Sequence, residues 1–405
     1  MINIAVLGYG TIGSGVIEVL STNGDSIAKR AGDQINIKYV LDLREFPGDP
    51  IMEKLVHDVN IIMDDPEVKI VCEVMGGVEP AYTFVKTALL RGKSVITSNK
   101  ELVAKHGAEL LDLAKDKDSN FLFEASVGGG IPIIRPLNQS LTADEIVEIT
   151  GILNGTTNYI LSKMSEEGST FEEALLTAQN LGYAERNPAA DVEGHDACRK
   201  IAILSSLAYG MQVDYEDIYT EGITKITDVD ILYAKSLGAK IKLFASSIRE
   251  NDHVYAMVAP VMINSLHPLF SVNDVFNGIY VKGNVIGDVM FYGSGAGKLP
   301  TASAVVADIV DAAKHFGKNI WTIWSSKKLE LTDVNQVKNR VFIRIKGNDD
   351  SIKAKVNQLF GDVEVVEAKG ITGEYAFVTS SIEEQELKNK MEALEGVINK
   401  IRVRF

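Results

Sequence analysis

Short apolar segments alternate with amphipathic segments along the first 150 residues. The segments INIAVLG, IKYVLD, KIVCEVM, SVITS and FLFEASV are almost continuously apolar, which predicts strands buried on both faces. Between them, PAYTFVKTALLRGK and KELVAKHGAELLDLAK have the period of amphipathic helices. Such alternation indicates crossover connections, and therefore an α/β domain with a parallel sheet over residues 1–150.

The pattern changes after residue 150. Residues 157–217 have mostly helical periodicity, whereas residues 240–292 contain four successive strand-like segments with no helical segment between them. This order favours a largely antiparallel sheet, so residues 151–324 are predicted to form an α+β domain. The helix KLPTASAVVADIVDAAKHFG, at about 298–317, is expected to pack back onto the first domain.

A third pattern occupies the end of the sequence. The polar, weakly patterned stretch 325–339 is predicted to be a linker. Residues 340–405 then read as strand, helix, two strands, helix and strand, which is the βαββαβ order of a ferredoxin-like fold. Because this segment contributes almost nothing to the net charge of −14, it is expected to be a separate module.

Composition and charge narrow the classes of function. A net charge of −14 over 405 residues argues against broad binding to nucleic acid or to an anionic membrane surface. No segment approaches the roughly 20 apolar residues of a membrane span, and MINIAVLGYG lacks the basic segment of a secretory signal. Two cysteines without a CxxC pair and six scattered histidines predict a cytoplasmic protein without a transition-metal site.

A glycine-rich turn follows the first predicted strand. IAVLGYGTIGSG has GxGxxG spacing, in which Gly8 permits a tight turn, Gly10 lets a pyrophosphate approach and Gly13 lets helix pack on strand. The N–H groups at the start of the next helix, at Thr11 and Ile12, are then placed to meet phosphate charge. The motif in this context predicts a Rossmann-type domain that binds NAD or NADP.

The acid at the end of the second strand bears on the choice of cofactor. Asp42 either accepts hydrogen bonds from the adenosine ribose, which favours NAD, or merely ends the strand. Arg44 offers the opposite possibility, a contact with a 2′-phosphate, so the preference stays open with NAD slightly favoured. A second run, YGSGAGKLPTAS, contains Gly295 and Gly297 before a helix; it either approaches the cofactor or forms an ordinary turn.

Two lysines and several acids are candidates for proton transfer. Lys100 follows a parallel strand, at the sheet edge where α/β domains bind ligands, although a solvated lysine would also fit. Asp196 and Lys200 share a helix face, and Lys200 begins an apolar run, so the pair is either a tuned proton donor or a surface ion pair. Glu185 and Asp191 precede it around a proline and can grip an ammonium group.

Two further turns offer backbone groups to a ligand. In LNGTTNYIL, Asn154, Gly155 and Thr156 provide N–H groups and a hydroxyl for a carboxylate. In FEASVGGGIPII, three glycines follow a strand, where they let carbonyl oxygens converge on a monovalent cation or let a ligand come close.

Six motifs follow one another along the chain: GYGTIGSG, VITSNKELVA, EASVGGGIPII, LNGTTNYIL, LGYAERNPAADVEGHDACRKIAIL and GAGKLPTASAVVADI. Together and in this order, they resemble the homoserine dehydrogenase family over about residues 1–320. The resemblance implies reversible, NAD(P)-dependent oxidation of L-homoserine to L-aspartate 4-semialdehyde, on the pathway to threonine and methionine. It also implies a small-molecule substrate and a homodimer or homotetramer.

The resemblance further implies roles for individual residues. Lys200 matches the proton donor, and Lys100 matches a second essential lysine near the reacting oxygen. The resemblance implies that Glu185, Asp191 and Asp196 bind the substrate, with Tyr183 and Thr156 nearby. It implies cofactor contacts at Thr97, Ser98 and the 293–297 glycines. It also implies a sodium site formed by the carbonyl groups of Glu124, Val127, Gly129 and Ile131.

Two departures from the family leave questions open. Many NADP-using members have an arginine just before the acid of the second strand, where this chain has Leu41. The C-terminal segment resembles an ACT domain in its element order, but KGNDDSIKA replaces the usual DxPGVLA turn. Feedback inhibition by threonine and a purely dimerising role therefore both remain hypotheses for this segment.

Two alternative functions are less consistent with the sequence. An aspartate-semialdehyde dehydrogenase also begins with a glycine loop, but it needs a nucleophilic cysteine, a role that suits neither Cys72 nor Cys198. A non-catalytic nucleotide-sensing protein would keep the glycine loop without requiring Lys100, Glu185 and Lys200 together.

Overall fold

The computed structural model describes residues 1–405, which divide into two compact units. The first unit consists of Met1–Glu145, Ala202–Asp214 and Gly293–Leu329, and the second of Ile146–Ile201, Tyr215–Tyr292 and Glu330–Phe405. None of the helices is both long enough and apolar enough to cross a membrane.

The elements follow one another along the chain in three stretches. Up to residue 145 they are β1 (Ile2–Leu7), α1 (Thr11–Thr22), α2 (Gly24–Ala31), β2 (Ile35–Leu41), β3 (Leu55–Val56), α3 (Val59–Met63), β4 (Val68–Glu73), α4 (Ala81–Leu90), β5 (Ser94–Thr97), α5 (Lys100–Asp116) and β6 (Phe121–Leu122). Then come β7 (Ile146–Ile152), α6 (Gly155–Glu167), α7 (Phe171–Asn180), α8 (Ala189–Val192), α9 (His195–Tyr209), β8 (Met211–Gln212), β9 (Tyr219–Thr220), α10 (Asp228–Ser236), β10 (Ala239–Glu250), β11 (His253–Asn264), β12 (Phe276–Gly283) and β13 (Gly287–Ser294). The last are α11 (Lys298–Lys314), β14 (Ser325–Lys328), β15 (Lys338–Lys346), α12 (Asp350–Phe360), β16 (Glu364–Val366), β17 (Glu374–Val378), β18 (Ile382–Glu383), α13 (Glu384–Glu392) and β19 (Val397–Arg404).

The first unit contains a six-stranded parallel sheet in the order β3-β2-β1-β4-β5-β6. This is the strand order of a Rossmann fold, so the predicted fold class is confirmed for this part of the chain. Helix α11 packs against α1 and shares its apolar core, where a side chain at Gly15 would crowd Ala302. The chain therefore returns to the first unit after residue 292.

One local prediction in the first unit is wrong, and one of its elements was not predicted. FLFEASV was expected to be a strand throughout, but β6 ends at Leu122 and a 3₁₀ turn follows at Glu124–Ser126. The turn forms because the Phe123 carbonyl accepts both the N–H and the hydroxyl of Ser126. The segment STNGDSIAKRAG, between α1 and β2, mostly forms α2, which buries Ile27 and Ala31 in the core.

The second unit is built on one mixed sheet in the order β13-β12-β7-β10-β11-β19-β15-β17-β16. Strands β10 and β11 pair antiparallel, as predicted for residues 240–292. Strand β7, from before the helical stretch, pairs antiparallel with both β10 and β12 and lies between them, which was not predicted. Residues 338–405, the C-terminal module, contribute strands in the order β19-β15-β17-β16, with α12 and α13 as the crossovers of a ferredoxin-like fold. The sequence did not indicate that β19 would pair with β11 and continue the sheet.

Candidate active site

The glycine loop lies between β1 and α1 in the first unit. Gly8 has a φ of +102°, a conformation that side chains rarely adopt. A Cβ atom at Gly13 would overlap the Gly8 carbonyl oxygen, so only glycine lets the helix approach the strand this closely. No atom lies within 4 Å of the position that a Cβ atom of Gly10 would take, and α1 starts at Thr11 without a side-chain cap. The loop therefore has the room and the helix N-terminus that a pyrophosphate requires.

A cleft of about 620 Å³ opens beside this loop. Its lining combines the loop with the ends of β2 and β4 and the start of α4: Gly8, Gly10, Leu41, Asp42, Leu43, Arg44, His57, Asp58, Val59, Val74, Met75, Pro80 and Phe84. The mixture of apolar side chains with a few polar groups is typical of a nucleotide pocket.

Asp42 is held firmly at the mouth of this cleft. Its carboxylate accepts the Tyr9 backbone N–H at 2.8 Å and the Arg44 guanidinium, whose Nε and Nη2 donate at 3.0 and 2.9 Å. The hydrogen bonds from Arg44 hold the pKa of Asp42 well below its usual range. Asp42 is thus ionised, while the Arg44 side chain remains 62% exposed.

A buried carboxylate organises the ends of β4 and β5. Glu73 accepts the Thr97 hydroxyl at 2.6 Å and the Met75 N–H at 2.8 Å, and burial raises its pKa. Asn99 caps α5 by accepting the Leu102 N–H at 3.1 Å, and it donates to the Gly77 carbonyl at 2.5 Å. These bonds hold the loop after β4 against the start of α5.

Lys100 is the first residue of α5, directly after this network, and Ser98 donates its N–H to the Glu73 carbonyl at 3.4 Å. The sequence motifs pointed to Thr97, Ser98 and Lys100 but not to Glu73. A signal for Glu73 was present, because a carboxylate follows an apolar strand shortly before two glycines.

A second polar cluster lies in the second unit, where β7 leads into α6. Lys200 donates from Nζ to the Asp196 carboxylate at 2.7 Å and to the Leu153 carbonyl at 2.8 Å. The Asn154 amide donates to Asp196 at 2.9 Å and to Asp191 at 2.7 Å. The Lys200 and Asp196 side chains are only 11% and 9% exposed, so the pair is a buried one and not a solvated surface pair.

Other predicted substrate residues lie at or beyond the edge of this cluster. Thr156, in the first turn of α6, donates its hydroxyl to the Tyr183 carbonyl at 2.6 Å, and Tyr183 itself is 44% exposed. A Cβ atom at Gly155 would lie 2.8 Å from the Val275 carbonyl oxygen, so this turn has no room for a side chain. The Glu185 side chain is exposed, on the same loop as Tyr183. Asn154 donates to both acids of the cluster, whereas its motif predicted only a contact with a carboxylate.

The loop expected to bind sodium is closed around a buried side chain. The Glu124 carboxylate accepts the N–H groups of Ile133, Ile134 and Arg135 at 2.6–2.8 Å. Asp308 accepts the Glu124 N–H at 2.8 Å and pairs with Arg135, and burial raises its pKa to about 8. No group of three or more His, Cys, Asp or Glu side chains is arranged to hold a metal ion.

The remaining predicted residues of this region lie close to the second glycine run. A Cβ atom at Gly129 would lie 2.5 Å from the Gly295 carbonyl oxygen, and Val127 and Ile131 are buried. Gly297 has a φ of +120° and directly precedes α11. The glycines of FEASVGGGIPII and those of YGSGAGKLPTAS therefore pack closely against each other within the first unit.

Comparison with known proteins decides the family. Two family models match, homoserine dehydrogenase over residues 132–310 and the homoserine dehydrogenase NAD-binding domain over residues 8–124. The homoserine dehydrogenase of Bacillus subtilis is 45% identical over 317 residues, which is 78% of this chain and 73% of that protein. The chain belongs to the homoserine dehydrogenase family. The expectation drawn from the sequence motifs is thereby confirmed.

Solved structures of homoserine dehydrogenases match this chain, one over 100% of its length and another over 77%. The enzyme from Thiobacillus denitrificans superposes with a TM-score of 0.90 at 34% identity and covers 100% of this chain and 98% of its own. A hyperthermophilic archaeal homoserine dehydrogenase in complex with NADPH superposes with a TM-score of 0.66 at 29% identity, over 77% of this chain and 97% of its own. The C-terminal module is thus part of the fold that the Thiobacillus enzyme shares.

As a homoserine dehydrogenase, the protein is an NAD(P)-dependent oxidoreductase of amino-acid biosynthesis. The chemistry of its cysteines agrees, because neither can serve as the nucleophile of a semialdehyde dehydrogenase. Cys72 and Cys198 are both buried, burial raises the pKa of both thiols, and Cys198 donates to the Tyr215 carbonyl at 3.3 Å.

Proposed function

We propose that Lys200 carries the proton of the reaction and that Asp196 holds the Lys200 side chain in place. The supporting observation is the geometry of its ammonium group: the bonds to Asp196 and Leu153 use two of three N–H donors. The third donor serves the hydroxyl oxygen of homoserine. In the reductive direction this ammonium group gives one of its protons to the developing alkoxide, which leaves a neutral amine. The oxidative direction is the reverse step, in which that neutral amine takes the proton of the substrate hydroxyl.

The acids around Lys200 are proposed to bind the amino-acid end of the substrate. Asp191 and Glu185 attract its ammonium group, and Asn154 keeps Asp191 and Asp196 at a fixed spacing. The substrate carboxylate is assigned to the first turn of α6, at Gly155 and Thr156, with Tyr183 beside it, because a helix N-terminus favours an anion.

Lys100 is proposed as the second lysine at the reacting oxygen, with Thr97 and Ser98 contacting the cofactor. Its support is position: Lys100 opens α5 at the carboxyl end of β5, where Rossmann domains bind their ligands. The cofactor, when bound in the Gly8–Gly13 loop and its cleft, supplies the acceptor for the hydride. The residues of this chain bind and orient the reactants and move the proton.

An assay at 340 nm with L-homoserine tests the role of Lys200. Lys200→Met is expected to lower kcat by about 10²–10⁴-fold, as loss of general acid–base catalysis does, with cofactor KM nearly unchanged. Lys163→Met is the matched control, because Lys163 and Glu167 form an ion pair of the same i, i+4 spacing at the surface. Turnover of Lys200→Met at the level of that control would refute the assignment.

We further propose a preference for NAD over NADP. The ionised Asp42 at the end of β2 is suited to a ribose hydroxyl and would repel a 2′-phosphate. The archaeal relative in complex with NADPH and the exposed Arg44 beside Asp42 weigh in the other direction. The ratio of kcat/KM for the two cofactors, in the wild type and in Arg44→Ala, tests this; a wild-type ratio in favour of NADP would refute it.

A monovalent cation, sodium, is proposed at the carbonyl groups of Glu124, Val127, Gly129 and Ile131. Support comes from the tight closure of this loop by the Glu124 carboxylate, which would fix the carbonyl directions. Replacing sodium by a large organic cation at constant ionic strength should lower the thermal unfolding midpoint, with turnover as a second measurement. Equal midpoints in both salts would contradict the site.

The remaining proposals concern organisation. Residues 1–150 with α11 are proposed as the cofactor domain, 151–324 as the substrate and dimerisation domain, 325–339 as their connection to the module, and 340–405 as an ACT-like domain. A cytoplasmic homodimer or homotetramer is proposed from the family and from the acidic, cysteine-poor composition. Light scattering after size-exclusion chromatography measures the assembly, and a monomer would refute it.

A further inference from the structure

Arg402, on β19 of the C-terminal module, is buried among groups from two parts of the second unit. Its guanidinium is 5% exposed and bridges two carboxylates: Glu384 of the module at 2.7 and 3.0 Å, and Glu221 at 2.9 Å. It also lies 5.1 Å from the centre of the Tyr219 ring, and the Tyr219 hydroxyl donates to Glu221 at 3.0 Å. Glu221, which lies outside the module, is therefore held by a residue of the module.

A second arginine of the module has the same arrangement. Arg344, on β15, is 3% exposed and forms a two-bond pair with Glu374 of the module at 2.9 and 3.0 Å. It also donates to Asp230 of α10 at 2.6 Å, and the Tyr233 ring centre lies 5.6 Å away. Both clusters consist of an arginine, a glutamate of the module, and a carboxylate and a tyrosine from outside it.

The two clusters differ in what lies behind them. Behind Glu221, the backbone of residues 221–223 packs directly on the turn at 192–194. Ile223 donates its N–H to the Val192 carbonyl at 2.8 Å, and a Cβ atom at Gly222 would overlap that carbonyl oxygen. On the other side of the turn, Gly194 has a φ of +86°, and a Cβ there would lie 3.2 Å from the Thr220 methyl group.

This turn connects α8 and α9, the two helices that carry Asp191, Asp196 and Lys200, the substrate cluster. Asp191 belongs to α8, which ends at Val192, and Asp196 and Lys200 belong to α9, which begins at His195. A shift of the turn would therefore change the spacing between Asp191 and Asp196, which the Asn154 amide bridges at 2.7 and 2.9 Å.

None of the hydrogen bonds of Arg344 and Asp230 reaches the turn at 192–194. The other bonds of Asp230 close the first turn of its own helix, through Thr227, and accept the Asn399 amide of the module at 2.8 Å. The Arg344 cluster therefore serves as an internal comparison for the Arg402 cluster, with similar chemistry and without the contact to the turn.

We propose that Glu221, anchored by Arg402, is a positioning residue for the homoserine site, so that the C-terminal module contributes to substrate binding through this contact. The inference rests on the proposed assignment of Asp191, Asp196 and Lys200 to the substrate. It gives the module a role in every catalytic cycle, independent of any effector and of any function in assembly.

The test compares two isosteric changes in the full-length enzyme. Glu221→Gln removes the carboxylate that Arg402 and Tyr219 hold, and Glu374→Gln removes a carboxylate of similar exposure from the Arg344 cluster; the two side chains are 21% and 19% exposed. Glu221→Gln is expected to raise the KM for homoserine about 3- to 10-fold, the effect of losing roughly one hydrogen bond in binding. Its kcat should stay within about twofold of the wild type, because Lys200 keeps its bonds to Asp196 and to the Leu153 carbonyl, and its KM for the cofactor should do the same, because the glycine loop lies in the first unit.

Glu374→Gln is expected to lower the thermal unfolding midpoint comparably and to leave the KM for homoserine unchanged. Equal changes of that KM in both variants, or in neither, would overturn the positioning role. If Glu221→Gln does not fold, Tyr219→Phe replaces it, because that variant loses only the hydroxyl that holds Glu221 and should raise the same KM. Normal turnover in Lys200→Met would instead refute the proposed site itself, so the two failures are distinguishable.

Discussion

A methyl group at Gly10 is expected to weaken cofactor binding without destabilising the fold. Gly10 has a φ of −89° and a ψ of −156°, which is at the edge of the extended region and outside the positive-φ region that alanine avoids. No atom of the protein lies within 4 Å of the position of its Cβ. The space beside Gly10 is therefore unused by the protein, and it is the space that the pyrophosphate is predicted to enter.

The magnitude follows from the bonds that the methyl group would displace. Phosphate oxygens at a helix N-terminus accept charge-assisted N–H bonds, each contributing about 1.5–3 kcal/mol. Loss of one such bond corresponds to about 10- to 100-fold in the dissociation constant of NADH. For the fold itself, Gly10→Ala should be neutral or stabilising by up to about 1 kcal/mol, because alanine lowers the entropy of the unfolded chain.

Fluorescence titration with NADH and thermal unfolding of the apo-enzyme measure the two effects separately. Gly24→Ala is the neutral control, since it also has open space around its Cβ but lies at the start of α2, outside the cleft. Gly13→Ala is the disruptive control, because its Cβ would overlap the Gly8 carbonyl oxygen. An unchanged NADH affinity in Gly10→Ala, or a midpoint lowered as far as in Gly13→Ala, would refute the reasoning.

Three further outcomes are expected from buried groups. Burial lowers the pKa of Lys242 to about 7, so above that pH the unfolded chain binds more protons than the folded chain. The unfolding free energy of the wild type relative to Lys242→Met should therefore rise from pH 7 towards pH 10, by up to about 1.4 kcal/mol per pH unit. Urea unfolding measures this difference, and a difference that stays constant with pH would contradict the prediction. Glu73→Gln should cost about 1–3 kcal/mol of unfolding free energy, because an amide cannot accept at both ends; equal denaturation midpoints would argue otherwise. Gly107→Ala would bring a Cβ to 2.8 Å from the Trp324 ring and should lower the unfolding free energy by about 1–3 kcal/mol. Adding Trp324→Phe in the same chain should partly restore that stability.

The parts of the fold that the sequence predicts well are those set by local periodicity. Continuous apolar strands, helices of 3.6-residue period and a GxGxxG turn led to the parallel sheet of the first unit and to the loop at Gly8–Gly13. The alternation of strands and helices in residues 340–405 likewise led to the order of the C-terminal module. In each case the signal lies within a window of a few tens of residues.

Pairings between distant segments leave no comparable signal. Strand β19 pairs with β11 over only three residue pairs, Val261–Arg402 to Ile263–Arg404, and nothing in either segment specifies the other. The arginines of the module illustrate the consequence. In the sequence RVFIRIKG, Arg344 looks like a solvent-facing residue of an alternating strand, yet it is 3% exposed because Asp230, more than a hundred residues earlier, neutralises it.

The candidate site shows the same difference between local signals, which the sequence contains, and distant contacts, which it does not. The i, i+4 spacing places Asp196 and Lys200 on one helix face, but it cannot distinguish a surface pair from a buried one. What distinguishes them is the Leu153 carbonyl and the Asn154 amide, which arrive from the end of β7 and complete the hydrogen bonds of both charges. A buried pair without such partners would be strongly destabilising, so the distant partners, and not the spacing, are what make this lysine suitable for proton transfer.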